Sequence, residues 1–442
     1  MKPLSNSKVQ QTLQHYLSRY AEVEAFNITP HIPTKTYTHC LVIPAFNESD
    51  DFIKRIINSP LGHSALLIIA VINQPDNYEN TQLNQQLWQT LITRHTTINK
   101  SDGHHWLSLV SSDNKCATDL LLINRFQQKI PHKYGVGLAR KIGTDIACQL
   151  MAKHCLLHQW MHHSDADTHL PNDYFSTLDA VLEKQLSISA STHPIQYSAA
   201  VYPFTHIASG NQTIDTATRY YEQALHHYVD GLTRAGSPYA YHTLGSCIAT
   251  SASHYCQARG FQKKAGGEDF YLLSKLAKLG RIAELQSTPL GIDSRQSERV
   301  PFGTGPAVEK ILAMNNPETE YRYYHPQCFT ELTVLLDHFQ ELFTYRKKTN
   351  HKTTPITLTH YEPWLKELSP ALQAVLMTLK IDSLFRHIDK QTNSPEQCIL
   401  HCHYWLDGFK TLKLIHLLEP SYPKQALAEA ILSNDKLTII NI

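Results

Sequence analysis

The chain has 442 residues, 42% hydrophobic and 18% charged, with 40 basic residues against 39 acidic ones. That length and balance suit two or three folded units and exclude a disordered chain. The absence of a Lys/Arg-rich run argues against nucleic acid as a main partner, and the longest apolar run, residues 65–72, is far too short to span a membrane.

From the N-terminus, MKPLSNSKVQQTLQHY is polar and lacks the apolar core of a signal peptide, so a soluble, cytoplasmic protein is expected, with peripheral membrane contact as the variant reading. Helical spacing runs through residues 9–26 and a Pro-containing linker follows, so residues 1–37 are expected to form an N-terminal helical segment. Between 38 and 310, short β-branched runs alternate with amphipathic stretches, the signature of an α/β sheet. Strands are predicted at 39–46, 65–73, 105–111 and 157–165, then at 198–204, 245–252 and 282–287. Helices are predicted at 48–58, 80–93, 137–153, 215–233 and 268–279. Residues 320–442 turn helical: Leu332, Leu335, Leu336, Phe339, Leu342 and Phe343 share one stripe, and similar stripes recur over 361–390 and 396–418. Such stripes suit packing on the preceding domain, a homodimer surface or a cover over an acceptor cleft. Trp364, Tyr404 and Trp405 read as core residues before sugar-stacking ones.

Asp165 and Asp167 form a D-x-D where the strand predicted at 157–165 ends. Open α/β sheets place ligands at that edge. Carboxylates so close repel unless a cation lies between them, and Mn²⁺ or Mg²⁺, which prefer oxygen ligands and share them with phosphates, is the expected cofactor. The competing reading is a turn or helix cap. Glu268 and Asp269 open a predicted helix after Gly266 and Gly267; they read either as simple capping or as a general base for a hydroxyl. The first strand is expected to stop at Pro44, with Asn47 and Glu48 at its turn, while Asn73 and Gln74 end the second. YGVGLARKIGTD (134–145) has Arg140 at the third glycine position of a dinucleotide fingerprint, which excludes a Rossmann cofactor site. Arg140 and Lys141 then read as a basic pair suited to a diphosphate, or as a solvated one. The nine cysteines are scattered without a C-x-x-C, and the HCH at 401–403 lacks the second ligand pair of a zinc site.

The order LVIPAFNES, LIIAVINQ, GVGLARKIGTD, HHSDADTHLPNDYF, LGSCIATSASHYCQARGF, GGEDFYLL resembles family 2 glycosyltransferases of the GT-A fold over about residues 39–290. The resemblance implies a mixed α/β nucleotide-diphospho-sugar transferase domain, a nucleotide-sugar donor and a hydroxyl acceptor (small molecule, glycan or lipid-linked). Pro44, Phe46, Asn47 and Glu48 would border the nucleotide pocket, and Arg140 would lie near the donor phosphates. Asp165 and Asp167 would hold the donor's sugar and diphosphate through the metal. Asp269 would be the catalytic base of an inverting hexosyl transfer, with Glu268 beside it shaping the acceptor site. Two departures stand out. Asn73 and Gln74 replace the usual acidic residues that read the base or ribose. The stretch 293–308 has no family counterpart, and its Arg295, Arg299 and Gly303–Gly305 turn read as a lid over phosphates or as a plain solvated loop. The alternatives are a nucleotidyltransferase, whose Gly-rich loop and Lys are missing after the first strand, and a catalytically silent GT-A-like binding protein.

Overall fold

The computed structural model describes residues 7–188, 196–296, 303–349, 358–426 and 429. Two compact units emerge: Met1–Thr218 with Thr243–Glu309, and Arg219–His242 with Lys310–Ile442.

The first unit is built on strands β1 (His39–Ala45), β2 (Leu66–Pro75), β3 (Thr96–Ser101), β4 (His104–Ser108), β5 (Asp119–Ile130), β6 (Trp160–His163), β7 (Thr168–His169), β8 (Tyr197–Val201), β9 (Phe204–Ile207), β10 (Ile248–Ser251), β11 (Arg281–Glu284) and β12 (Leu290–Asp293). The main sheet runs β11-β8-β10-β6-β1-β2-β5-β4-β3, and a small one runs β7-β12-β9. β6, β1, β2 and β5 are mutually parallel, whereas β10 runs antiparallel between β6 and β8 and β4 antiparallel to β5. A mixed sheet flanked by helices is therefore the architecture of this unit, as expected over 38–310. The helix Gly135–Ala152 is buried along nearly its whole length and packs on β1 and β2. Strands covered on both faces read as continuous apolar runs, and every residue of β1 is buried.

Pro44 does not end β1 but changes one side of it. Val42 O accepts from Ser164 N across the β6 side. Two residues on, Pro44 faces the same side and has no N–H, so β6 pairing stops at Val42↔His163, while pairing with β2 continues to Ala45↔Ile72. The chain after β6 is thereby released from the sheet, and that chain carries the D-x-D.

The N-terminal segment, expected as a separate piece, belongs to this unit through a buried polar cluster. Asp145 accepts from Tyr16 OH (2.6 Å), Tyr255 OH (3.0 Å), Lys141 Nζ (2.7 Å) and the Glu22 backbone N (2.8 Å). Lys141 also donates to Tyr20 O. Lys141 is therefore a buried tie to the helix Ser7–Tyr20 and does not face a diphosphate.

The second unit is helical, as expected for the C-terminal region. Leu332, Leu335, Leu336, Phe339 and Leu342 of the helix Pro326–Thr349 join Trp364, Phe385, Leu414 and Leu418 in one core. Trp364 is 1% exposed and stacks on His338, so it serves packing. Among the described residues no helix is long and apolar enough to cross a membrane.

Candidate active site

The parallel strands end at one edge, and the predicted site residues follow them there. β6 ends at His163, with Asp165 and Asp167 just beyond. Arg140, near the start of the helix after β5, is 2% exposed. It joins segments remote in sequence: Nε donates to Glu268 Oε1 (3.0 Å), Nη2 to Asp165 Oδ1 (2.9 Å), and Nη1 to Gly245 O (3.1 Å). A Cβ on Gly245 would lie 2.6 Å from Arg140 Nη2, so any larger residue there would displace the guanidinium from this position. Burial works against the charge on Arg140, but Asp165 and Glu268 outweigh it and raise the pKa. Arg140 thus frames the acidic groups; its donors are directed at them and at two carbonyls rather than outward.

Glu268 and Asp269 begin the helix Glu268–Leu276, entered through Gly267 at φ +70°, a conformation glycine adopts without strain. The partly buried Asp269 Oδ1 accepts from the Phe270 backbone N at 2.7 Å. Burial, then the adjacent Glu268 charge, push the Asp269 carboxyl up to about 7 against the opposing pull of Arg140. A carboxylate there can exchange a proton near neutrality, the condition for general base work.

Asp167 has a different arginine. Arg295 follows β12, and the small sheet aligns it: Asp293 N donates to Asp167 O at 3.0 Å, and β12 pairs with β7. Arg295 Nη2 donates to both Asp167 Oδ2 and Glu48 Oε1, and Nη1 to Glu48 Oε2. Its side chain is 32% exposed. Arg299 lies outside the described residues. The Gly303–Gly305 turn is instead the start of the helix Thr304–Leu312.

At the ends of β1 and β2, Asn47 sits at φ +55°, where Asn is tolerated. Its N–H donates to Asn84 Oδ1, and Asn84 Nδ2 donates to Gln74 Oε1 and Asn73 O. Asn73 and Gln74 are buried in this network. Asn47 Oδ1 is buried and, among the described residues, accepts no hydrogen bond. Phe46 packs edge-on against the exposed Tyr78, centroids 5.2 Å apart. Sequence reasoning missed Asn84, although the signal was there: with Leu87, Trp88 and Leu91 it occupies one apolar stripe, where a fully buried amide demands partners.

Taken together, Glu48, Asp165, Asp167, Glu268 and Asp269 set five carboxylates against the guanidinium groups of Arg140 and Arg295. A bare diphosphate would be repelled by this acidic excess unless a cation came with it. The donor set fits Mn²⁺ or Mg²⁺: hard carboxylate oxygens on Asp165 and Asp167, with side chains 35% and 20% exposed.

No protein family and no curated protein sequence matches the chain. Among solved structures it is similar to TarS residues 1–349 of S. aureus in complex with UDP-GlcNAc, at 10% identity and TM-score 0.35, covering 83% of this chain and 89% of that one. It is also similar to the mannosyltransferase PcManGT of Pyrobaculum calidifontis in complex with GDP-Man and Mn²⁺, at 12% identity and TM-score 0.35, covering 93% and 95%. Likeness at this level assigns no activity to this chain.

Proposed function

We propose that the first unit is a GT-A glycosyltransferase domain that moves a sugar from a nucleotide-sugar donor to a hydroxyl acceptor. The observation that supports it most is the convergence of Asp165 and Glu268 on the single buried Arg140, beside an Asp269 whose carboxyl is pushed up to about 7. These residues sit at the sheet edge where α/β proteins bind ligands.

In this reading Asp269 takes the proton of the acceptor hydroxyl as it attacks the anomeric carbon from the face opposite the leaving group, which inverts configuration. Glu268 keeps that proton site basic by its charge, and Arg140 fixes both carboxylate segments. Asp165 and Asp167 would hold Mn²⁺ or Mg²⁺, which would supply charge neutralisation at the leaving diphosphate. Asn47 offers its orphaned Oδ1 to a donor group of the nucleotide, and the Phe46–Tyr78 pair offers a wall for its base.

Thermal unfolding with a panel of nucleoside diphosphates and nucleotide sugars, with and without Mn²⁺, tests donor and metal together. A ligand of the native state at about 100 times its Kd adds roughly 2.7 kcal/mol. A Mn²⁺-dependent rise with one nucleotide, absent in Asp165→Ala, is expected. No rise with any of them would leave the domain a silent GT-A-like scaffold.

A further inference from the structure

A second cluster lies at the opposite, amino edge of the same sheet, away from Asp165 and Asp269. His39 is the first residue of β1, His158 lies two residues before β6, and Asp179 projects from the helix Tyr174–Ile188. His39 Nε2 is 3.5 Å from Asp179 Oδ2, and His158 Nε2 is 3.6 Å from Asp179 Oδ1. One ligand atom from each of the three lies within 4.8 Å of the others.

These gaps are long for hydrogen bonds, and they run to the two different oxygens of the Asp179 carboxylate, which places that carboxylate between the two imidazoles as a donor a cation could share with them. Around a tetrahedral zinc, with bonds of about 2.0–2.2 Å, neighbouring ligand atoms sit roughly 3.4 Å apart. Asp179 Oδ1 is buried and, among the described residues, meets no hydrogen-bond partner, although a buried carboxylate oxygen normally has one. His39 is packed by Phe175, stacked at 4.6 Å, and by the buried His162 at 5.9 Å, so its ring orientation is fixed. His158 and Asp179 are 13% and 27% exposed, so an ion can enter from solvent.

We propose that His39, His158 and Asp179 form a divalent transition-metal site of the zinc class, with a fourth position for water, joining the amino ends of β1 and β6 to the helix Tyr174–Ile188. Two imidazoles and one carboxylate favour zinc over the hard ions suited to the D-x-D. His39 Nδ1, the outer nitrogen when Nε2 ligates, is itself buried without a partner among the described residues. Missing outer support weakens such sites about 10–100-fold, so weaker binding than in a fully supported zinc site is expected.

The test is calorimetric titration of zinc into the full chain at neutral pH, with excess Mg²⁺ to fill the oxygen-rich site. One zinc per chain is expected, with the affinity reduced more than about tenfold in both His158→Asn and Asp179→Asn. Wild-type uptake of no zinc, or uptake unchanged in these two variants, would overturn the proposal. Cobalt titrated into the unmodified chain gives a reading that needs no variant to fold. Intense visible absorption of four-coordinate cobalt supports the site, and the weak spectrum of six-coordinate cobalt refutes it. Neither readout depends on glycosyl transfer.

Discussion

The two aspartates of the D-x-D live in different settings, although one residue separates them. Asp165 shares Arg140 with Glu268, and that arginine's side chain is 3% exposed and bonded on every nitrogen. Asp167 shares Arg295 with Glu48, and that arginine is 32% exposed on a segment leaving β12. The first guanidinium is a fixed frame: withdrawing it would leave the buried Glu268 carboxylate without its partner and free the half-exposed Asp165. The second is a counter-charge near water, and in the proposed reading it is the one a divalent cation would displace. Identical chemistry thus serves rigidity on one side and exchange on the other, and burial decides which.

Substitution can break or sharpen this contrast, and the largest effect belongs to the proton site the frame supports. Asp269→Asn should lower kcat by about 10²–10⁴ while nucleotide binding persists, measured by turnover and by thermal shift. Unchanged turnover would remove Asp269 as the base. The same variant should be more stable than wild type at pH 8. Because the folded carboxyl titrates near 7 and the unfolded one near 3.8, the folded state holds its proton more tightly. That stabilising contribution is complete below about pH 4 and is lost as pH rises through about 7, so at pH 8 Asn should recover about 1–3 kcal/mol.

Next in size, Arg140→Met should destabilise the first unit by about 3–5 kcal/mol in denaturant unfolding, because two carboxylate segments lose their buried partner. Arg295→Ala should cost no more than about 1 kcal/mol and should tighten Mn²⁺ binding several-fold in calorimetry, since a competing cation leaves Asp167. Weaker Mn²⁺ binding in that variant would make Arg295 a positioning group instead. Smallest in amplitude, kcat/KM should rise with pH through an apparent pKa near 7, the base being active when ionised.

Much of the sheet was legible because doubly covered strands leave apolar runs, as in residues 39–45 and 66–72. β5 was not, since only Leu120–Ile123 is apolar before Asn124–Lys129 turns polar, yet it pairs with both β2 and β4. Arg140 and Lys141 read as a pair for a diphosphate or as a solvated pair because local sequence cannot show that Glu268 lies 128 residues on from Arg140, or that Tyr16 lies 125 residues back from Lys141. The Glu268–Asp269 helix start was readable from Gly266 and Gly267, but the contact of Arg295 with Glu48, 247 residues away, was not. Charge pairs formed by topology leave no periodic trace, whereas apolar faces do.

The cluster around Asp145 also bears on how the chain is made. Tyr16 leaves the ribosome 129 residues before Asp145, and Tyr255 follows 110 residues after that. At roughly 5–20 residues per second, Tyr16 waits on the order of ten to fifty seconds for Tyr255. During that interval the Asp145 cluster lacks one of its four donors, and it is complete only when synthesis has passed the β10 region.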